Sequence, residues 1–213
     1  MKWIERALAS FLALSGCLFA MTAATAQTPA SPYQLKGFRS AHFGMTTADV
    51  RAAIHKDFRV KDETIQQSVI PTGRTPVLVV HVAALFAQSG VGQVVYLFGY
   101  HSNKLMQVSV LLSTQTDPEL NADRLVIDGK ILQNYFLALG YPAKNMAVNK
   151  ASSSGLVLFQ GLDPQGRLTS LQLQGTMTKS PGGQMNLTPK QLRLDYVADP
   201  MHPDIMKSLA GQF

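Results

Sequence analysis

Apolar and polar positions follow two rhythms along this chain, and their order predicts helix, strands, helix, strands. Val50, Ala53, Ile54 and Phe58 recur at helical spacing. They follow Thr46-Thr47-Ala48-Asp49, an acidic capping box in which the Thr46 hydroxyl takes the Asp49 N–H and the carboxylate reaches back. A short amphipathic helix is predicted over about 47–57, with Arg51, His55 and Lys56 outward. Three β-rich runs come next, Val77 to Leu85, Gln93 to Tyr100 and Leu105 to Leu112, after a polar stretch containing Pro71 and Gly73. The short polar His101-Ser102-Asn103-Lys104 segment makes the last two an antiparallel hairpin.

Asp117, with Pro118 and Glu119 behind it, carries the signals of a second helix start, and Gly140 and Pro142 stop that helix. Leu120, Ile127, Ile131, Leu132, Tyr135, Phe136 and Leu139 recur as its apolar positions, while Gly129 weakens its middle by about 1 kcal/mol relative to Ala, leaving a kink or a late start open. Strands are predicted again at Leu156 to Gln160, Leu168 to Leu173 and Gln191 to Val197. In the last of these Leu192, Leu194 and Tyr196 alternate with Arg193 and Asp195, the pattern of a sheet with one wet face.

The predicted fold is α+β: residues 36–213 as one domain, an antiparallel sheet from two helix-plus-strands halves (36–115 and 116–213), helices on one face and the other partly open. Val95-Tyr96-Leu97-Phe98, a turn and Lys104-Leu105 echo Leu156-Val157-Leu158-Phe159, a turn and Arg167-Leu168. Internal duplication and coincidence between two hairpins both stay open.

Composition adds that the 213 residues, 46% hydrophobic and 15% charged with one Cys, form neither a disordered chain nor a disulfide-stapled miniprotein. The first 26 residues read as an export signal: Lys2 and Arg6, then an apolar and small-residue run from Ala7 to Ala24, then Ala24-Thr25-Ala26 for cleavage, with 27–35 a flexible leader. Leu14-Ser15-Gly16-Cys17 also looks like a lipobox, so lipidation at Cys17 is the alternative, although apolar residues continue past it. An uncleaved anchor is the third reading, because no other stretch approaches the ~18 apolar residues of a span. Cleavage after Ala26 removes the only Cys and leaves 17 basic against 12 acidic residues, a scattered +5. Thiol chemistry and a nucleic-acid groove are therefore not expected, and the protein is placed in the periplasm or outside the cell, or lipid-anchored to the envelope.

Gly37-Phe38-Arg39-Ser40-Ala41-His42-Phe43-Gly44-Met45-Thr46 resembles the start of a family of exported bacterial proteins without an assigned activity. The likeness continues through Val94 to Val110, Gly155 to Leu173 and Asp195-Tyr196, and on to the closing Gly211-Gln212-Phe213. Phe43-Gly44-Met45-Thr46 running into Val50 is more remotely similar to outer-membrane assembly lipoproteins and β-lactamase inhibitor proteins. That likeness implies an α+β fold and a binding role, and it transfers no functional residue.

No nucleophile elbow, phosphate-binding loop, dinucleotide fingerprint or His-Glu-x-x-His helix occurs; a dispersed Ser-His-Asp set stays open. The five histidines form no i, i+2 or i, i+4 pair, and His81, in a run apolar on both faces, is expected as a satisfied core histidine; His42 and His55 flank the first helix. Asp199, His202 and Asp204 read as a capped turn, and Asp163-Pro164-Gln165-Gly166 as a hairpin turn, not a calcium loop. No metal or cofactor is expected.

Tyr96, Phe98 and Tyr100 share one strand face: core if a helix covers them, an exposed partner-binding platform if the helices cover Val95 and Leu97 instead. The expected function is a non-catalytic cell-envelope protein binding a protein partner or an apolar ligand through its sheet. A secreted or periplasmic hydrolase with an unrecognised site is the alternative. An enzyme inhibitor presenting loops 71–75 or 178–188 on one edge is the third.

Overall fold

A computed structural model describes residues 32–86, 89–183 and 185–206. The proposed signal peptide, Cys17, most of the leader and the closing Gly211-Gln212-Phe213 lie outside the described residues. The elements run β1 (Gly37–Phe38), β2 (Ala41–His42), α1 (Thr47–Phe58), β3 (Gln66–Ile70), β4 (Thr75–Val82), β5 (Gly92–Phe98) and β6 (Leu105–Ser113). They continue with α2 (Ala122–Ala138), β7 (Met146–Ser152), β8 (Gly155–Leu162), β9 (Leu168–Lys179) and β10 (Met185–Val197). The architecture is α+β, as the patterning predicted.

β3 to β10 form one antiparallel eight-stranded sheet in the order β3-β4-β5-β6-β10-β9-β8-β7. Each half is a helix, a single 3-10 turn (Asp62–Thr64 or Ala143–Asn145) and a four-strand meander, and the order mirrors itself about the β6–β10 pair. Position for position this matches β5 to β9 and β6 to β10. The sequence echo instead set β5 against β8, one strand out of step.

The pairing register arranges the sheet in transverse rows. One side carries Leu78, Tyr96, Val108, Tyr196 and Thr169, then Val80, Val94, Val110, Leu194, Leu171 and Phe159, nearly all fully buried. Val50, Ala53 and Ile54 of α1 and Leu125 and Phe136 of α2 join the same core, so both helices cover this side. Phe136 stacks on Phe159 at 5.4 Å and meets Tyr196 edge-on at 6.2 Å.

α1 starts as predicted. Thr46 Oγ1 accepts from Asp49 N (3.2 Å) and Asp49 Oδ2 accepts from Thr46 N (3.0 Å). α2 starts late, at Ala122, with Asn121 Oδ1 accepting from Arg124 N at 2.9 Å. Asp117 is not its cap, because its carboxylate is engaged by Val91 N (2.7 Å) and Glu119 N (3.0 Å).

The side of α2 turned to the sheet corrects the expectation from hydropathy. Asp128, Gly129 and Gln133 face inward, while Ile127, Ile131 and Tyr135 are exposed. The cause lies at Gly129, where a Cβ would fall 2.7 Å from Leu158 and 3.2 Å from Leu192, so a larger residue would have to push these side-chain methyls aside for the helix to sit this close. Leu158 forms a bulge in β8, and Gln133 Nε2 donates to its carbonyl at 2.6 Å and to Asn149 Oδ1 at 2.8 Å. A buried glutamine is the group that this gap in the ladder calls for.

Candidate functional site

The side of the sheet away from the helices is built from three further rows. They read His81, Gln93, Leu111, Arg193, Gln172 and Val157; Val79, Val95, Ser109, Asp195, Ser170 and Gln160; and Val77, Leu97, Gln107, Val197, Leu168 and Leu162. Across β4 to β8 the ionisable side chains of these rows are His81, Arg193 and Asp195, and on the edge strand β7 Lys150 extends the first row opposite Val157. Arg193 and Asp195 stand on the central β10 strand and neutralise each other, with Arg193 Nε donating to Asp195 Oδ2 at 2.7 Å.

The pair is held from both sides of the seam. Ser109 Oγ and Gln107 Nε2 on β6 both donate to Asp195 Oδ1, and an Arg193 guanidinium N–H reaches Ser109 Oγ at 3.4 Å. Asp195 is buried by these neighbours although no helix covers it. A second chain of amides runs beside it: Gln191 to Gln174 (3.1 Å), Gln174 to Gln172 (3.2 Å) and Gln172 to Ser170 (3.0 Å). Their side chains are fixed before any partner arrives, so less rotamer freedom is left to lose on binding. A serine–carboxylate pair is thus present with arginine beside it, in the place that histidine takes in a Ser-His-Asp triad.

The structure separates the residues that the sequence singled out. Tyr96 and Phe98 are buried under the helices, and Tyr100 is half-buried at the strand end with its ring edge-on to His101 at 4.7 Å. Burial pushes the Tyr96 hydroxyl pKa well up, and that hydroxyl has no hydrogen-bond partner among the described residues. His81 is not a core histidine. It alternates with Leu78, Val80 and Val82, so it falls on the uncovered side, exposed, where Gln93 Nε2 donates to its Nε2 at 3.2 Å.

His55 lies against the Val60 carbonyl (2.7 Å) and Asp62 (3.2 Å), and His42 is exposed. Asp199 takes the N–H groups of Met201 and His202, the capped turn expected of it. Asp204 instead reaches across to the β5–β6 hairpin, accepting from His101 N (3.1 Å), Ser102 N (2.9 Å) and His101 Nδ1 (2.9 Å). Gly99 permits that approach, since a Cβ there would lie 2.1 Å from Asp204 Oδ2. Among the described residues no three histidine, aspartate or glutamate side chains converge as a metal-binding group.

Asp163 does form the β8–β9 turn, accepting from Gln165 N (2.8 Å) and Arg167 N (2.9 Å). It also takes Leu35 N at 2.9 Å while Arg167 Nη1 holds the Leu35 carbonyl at 2.6 Å, clamping the N-terminal segment to the second half. Loops 71–75 and 178–188 do not share a rim. Residues 77, 97, 107 and 197 lie at one end of the strands, beside the first loop, and β9 and β10 carry the second loop away from the other end. The polar seam was missed from sequence because Gln107, Ser109 and Arg193 meet only through the β6–β10 register; the alternation in β10 was its one local signal. No protein-family model, no curated protein and no solved structure matches the chain.

Proposed function

We propose that this is an exported, non-catalytic envelope protein that binds a protein partner on the uncovered side of its sheet, around Arg193. The observation that carries the reading is the scarcity of charge from β4 to β8 on the side of the sheet that no helix covers, bounded by Lys150 on β7 and by the 199–206 segment beside Leu97, Gln107 and Val197. Solvated sheet faces normally carry lysine and glutamate, whereas the cores of protein interfaces are depleted in those residues and enriched in arginine. Val79, Val95 and Leu97 supply apolar area beside the seam, and the Arg193–Asp195 network supplies fixed hydrogen-bonding groups. A protein surface suits this mixture better than a purely apolar ligand, because the aromatic row that would receive such a ligand lies inside the core.

The test is site-specific photo-crosslinking in cells, with the probe at Gln93 or Gln172 and a control probe at Lys56 on α1. A discrete adduct from both sheet positions, absent from the control and lost on Arg193→Glu, is expected. Adducts at the control position alone, or adducts indifferent to Arg193→Glu, would overturn the reading. Intact mass settles the N-terminus in the same preparation: chain 27–213 for cleavage, or an acylated chain starting at Cys17.

A further inference from the structure

α2 is apolar on the side that packing does not use. Ile127 is 51% exposed, Ile131 60% and Tyr135 55%, at i, i+4 and i+8, a continuous stripe along the helix. Among the described residues no other helix or strand holds so many large exposed hydrophobics. The stripe borders a groove of about 510 Å³ that it shares with Tyr33, Phe38 and Phe86.

We propose that this stripe docks on an anionic phospholipid bilayer while the chain still carries its N-terminal apolar run. The place where the chain meets α2 supplies the occupant. Tyr33 N donates to the Gly140 carbonyl just past the helix end, and Tyr33, its ring tilted against Tyr141 at 4.8 Å, lines the same groove as Ile131 and Tyr135. Only eight residues, 25–32, separate Tyr33 from Ala24, the end of the one stretch apolar enough to enter a bilayer. Eight residues span at most about 28 Å, so a membrane holding that run keeps α2 near its surface.

A single short stripe binds lipid only marginally, and a second attachment makes such binding stable. Tyr135 has the amphipathic ring that favours the headgroup level. Lys144, on the turn after α2, is an exposed cation of the kind that anionic headgroups attract, whereas the Lys130 ammonium is held by Gln133 Oε1 at 2.9 Å. Because α2 lies on the covered side of the sheet, this docking turns the uncovered rows away from the lipid.

The full chain, carrying Cys17→Ser and a fluorophore on Asn134→Cys, is reconstituted into vesicles of phosphatidylglycerol and phosphatidylcholine containing brominated lipid. A matched chain is labelled at Gln172→Cys on the sheet. Quenching several-fold stronger at 134 than at 172 is expected, and Ile127→Asp, an exposed change that leaves circular dichroism unaltered, should bring the two to parity. Equal quenching without the Ile127→Asp change overturns the proposal. So does a label at 134 that is shielded without lipid in a particle of doubled mass, which would assign the stripe to a second copy of the chain.

Discussion

Asp163→Asn separates the two jobs of one carboxylate. The asparagine oxygen can occupy the Oδ1 position and keep the N–H groups of Gln165 and Arg167, at 2.8 and 2.9 Å. Its amide then faces Leu35 N, which now donates to Oδ2 at 2.9 Å, and two donors oppose each other. Asp163 and Leu35 are both buried, so water does not compensate in place. One lost charge-assisted bond with an orphaned buried N–H costs about 2 kcal/mol, and Asp163→Ala, which loses all three bonds, costs about 4 kcal/mol. Against a typical domain stability of about 5–15 kcal/mol, both are measurable by urea unfolding.

Native-state hydrogen exchange gives the sharper readout. In Asp163→Asn the Leu35 amide should lose protection while Val110, in the central strand β6, falls only by the change in global stability. Equal unfolding free energies for the Asn and Ala variants, or an undiminished Leu35 protection factor in Asp163→Asn, would refute the clamp.

Three further outcomes follow from side chains already placed. Tyr96→Phe deletes a buried hydroxyl without a partner and should stabilise by about 1 kcal/mol, raising Tm by roughly 2–4 °C in calorimetry; a fall of that size would mean that the hydroxyl is bonded. Gly129→Ala gains about 1 kcal/mol of helix propensity against a Leu158 methyl that must swing aside, for a net change within about 1 kcal/mol, whereas Gly129→Leu should cost about 3 kcal/mol; equal denaturation midpoints for the two would show that the helix is not seated there. Hydrogen bonds from Ser102, then from His101, hold the Asp204 carboxyl well below the usual carboxylate range. Its contribution is therefore present above pH about 4 and fades as the pH falls toward the folded value, so wild type and Asp204→Asn should differ in stability near neutrality and converge in acid; a constant gap down to pH about 2 would contradict this.

What was legible in the sequence was what local chemistry dictates. The capping box places the start of α1, and alternation in Leu192 to Tyr196 gives the two sides of β10, because both signals are contained in a few consecutive residues. β3 and β7 were not visible. Edge strands bury little, and Gln66–Ile70 is exposed at every position, so no alternation was imposed on it. Hydropathy placed Phe136 correctly but put Ile127, Ile131 and Tyr135 on the wrong side of α2, because a close helix–sheet contact selects for small size and a hydrogen-bonding amide, which Gly129 and Gln133 supply, over apolar area. Gly129 was the available clue: an isolated glycine within a helical pattern marks the side that touches something.

The mirrored strand order has a temporal consequence. Synthesis proceeds from the N-terminus, so β6 is completed with only β5 beside it, and its other flank stays unmatched until β10, among the last elements made, arrives. Until then a nine-residue strand rich in valine and leucine offers a free border to any neighbouring chain. The nascent first half therefore needs a chaperone's escort more than the finished molecule does, and truncations that stop before Met185 should accumulate as aggregates rather than as a smaller folded unit.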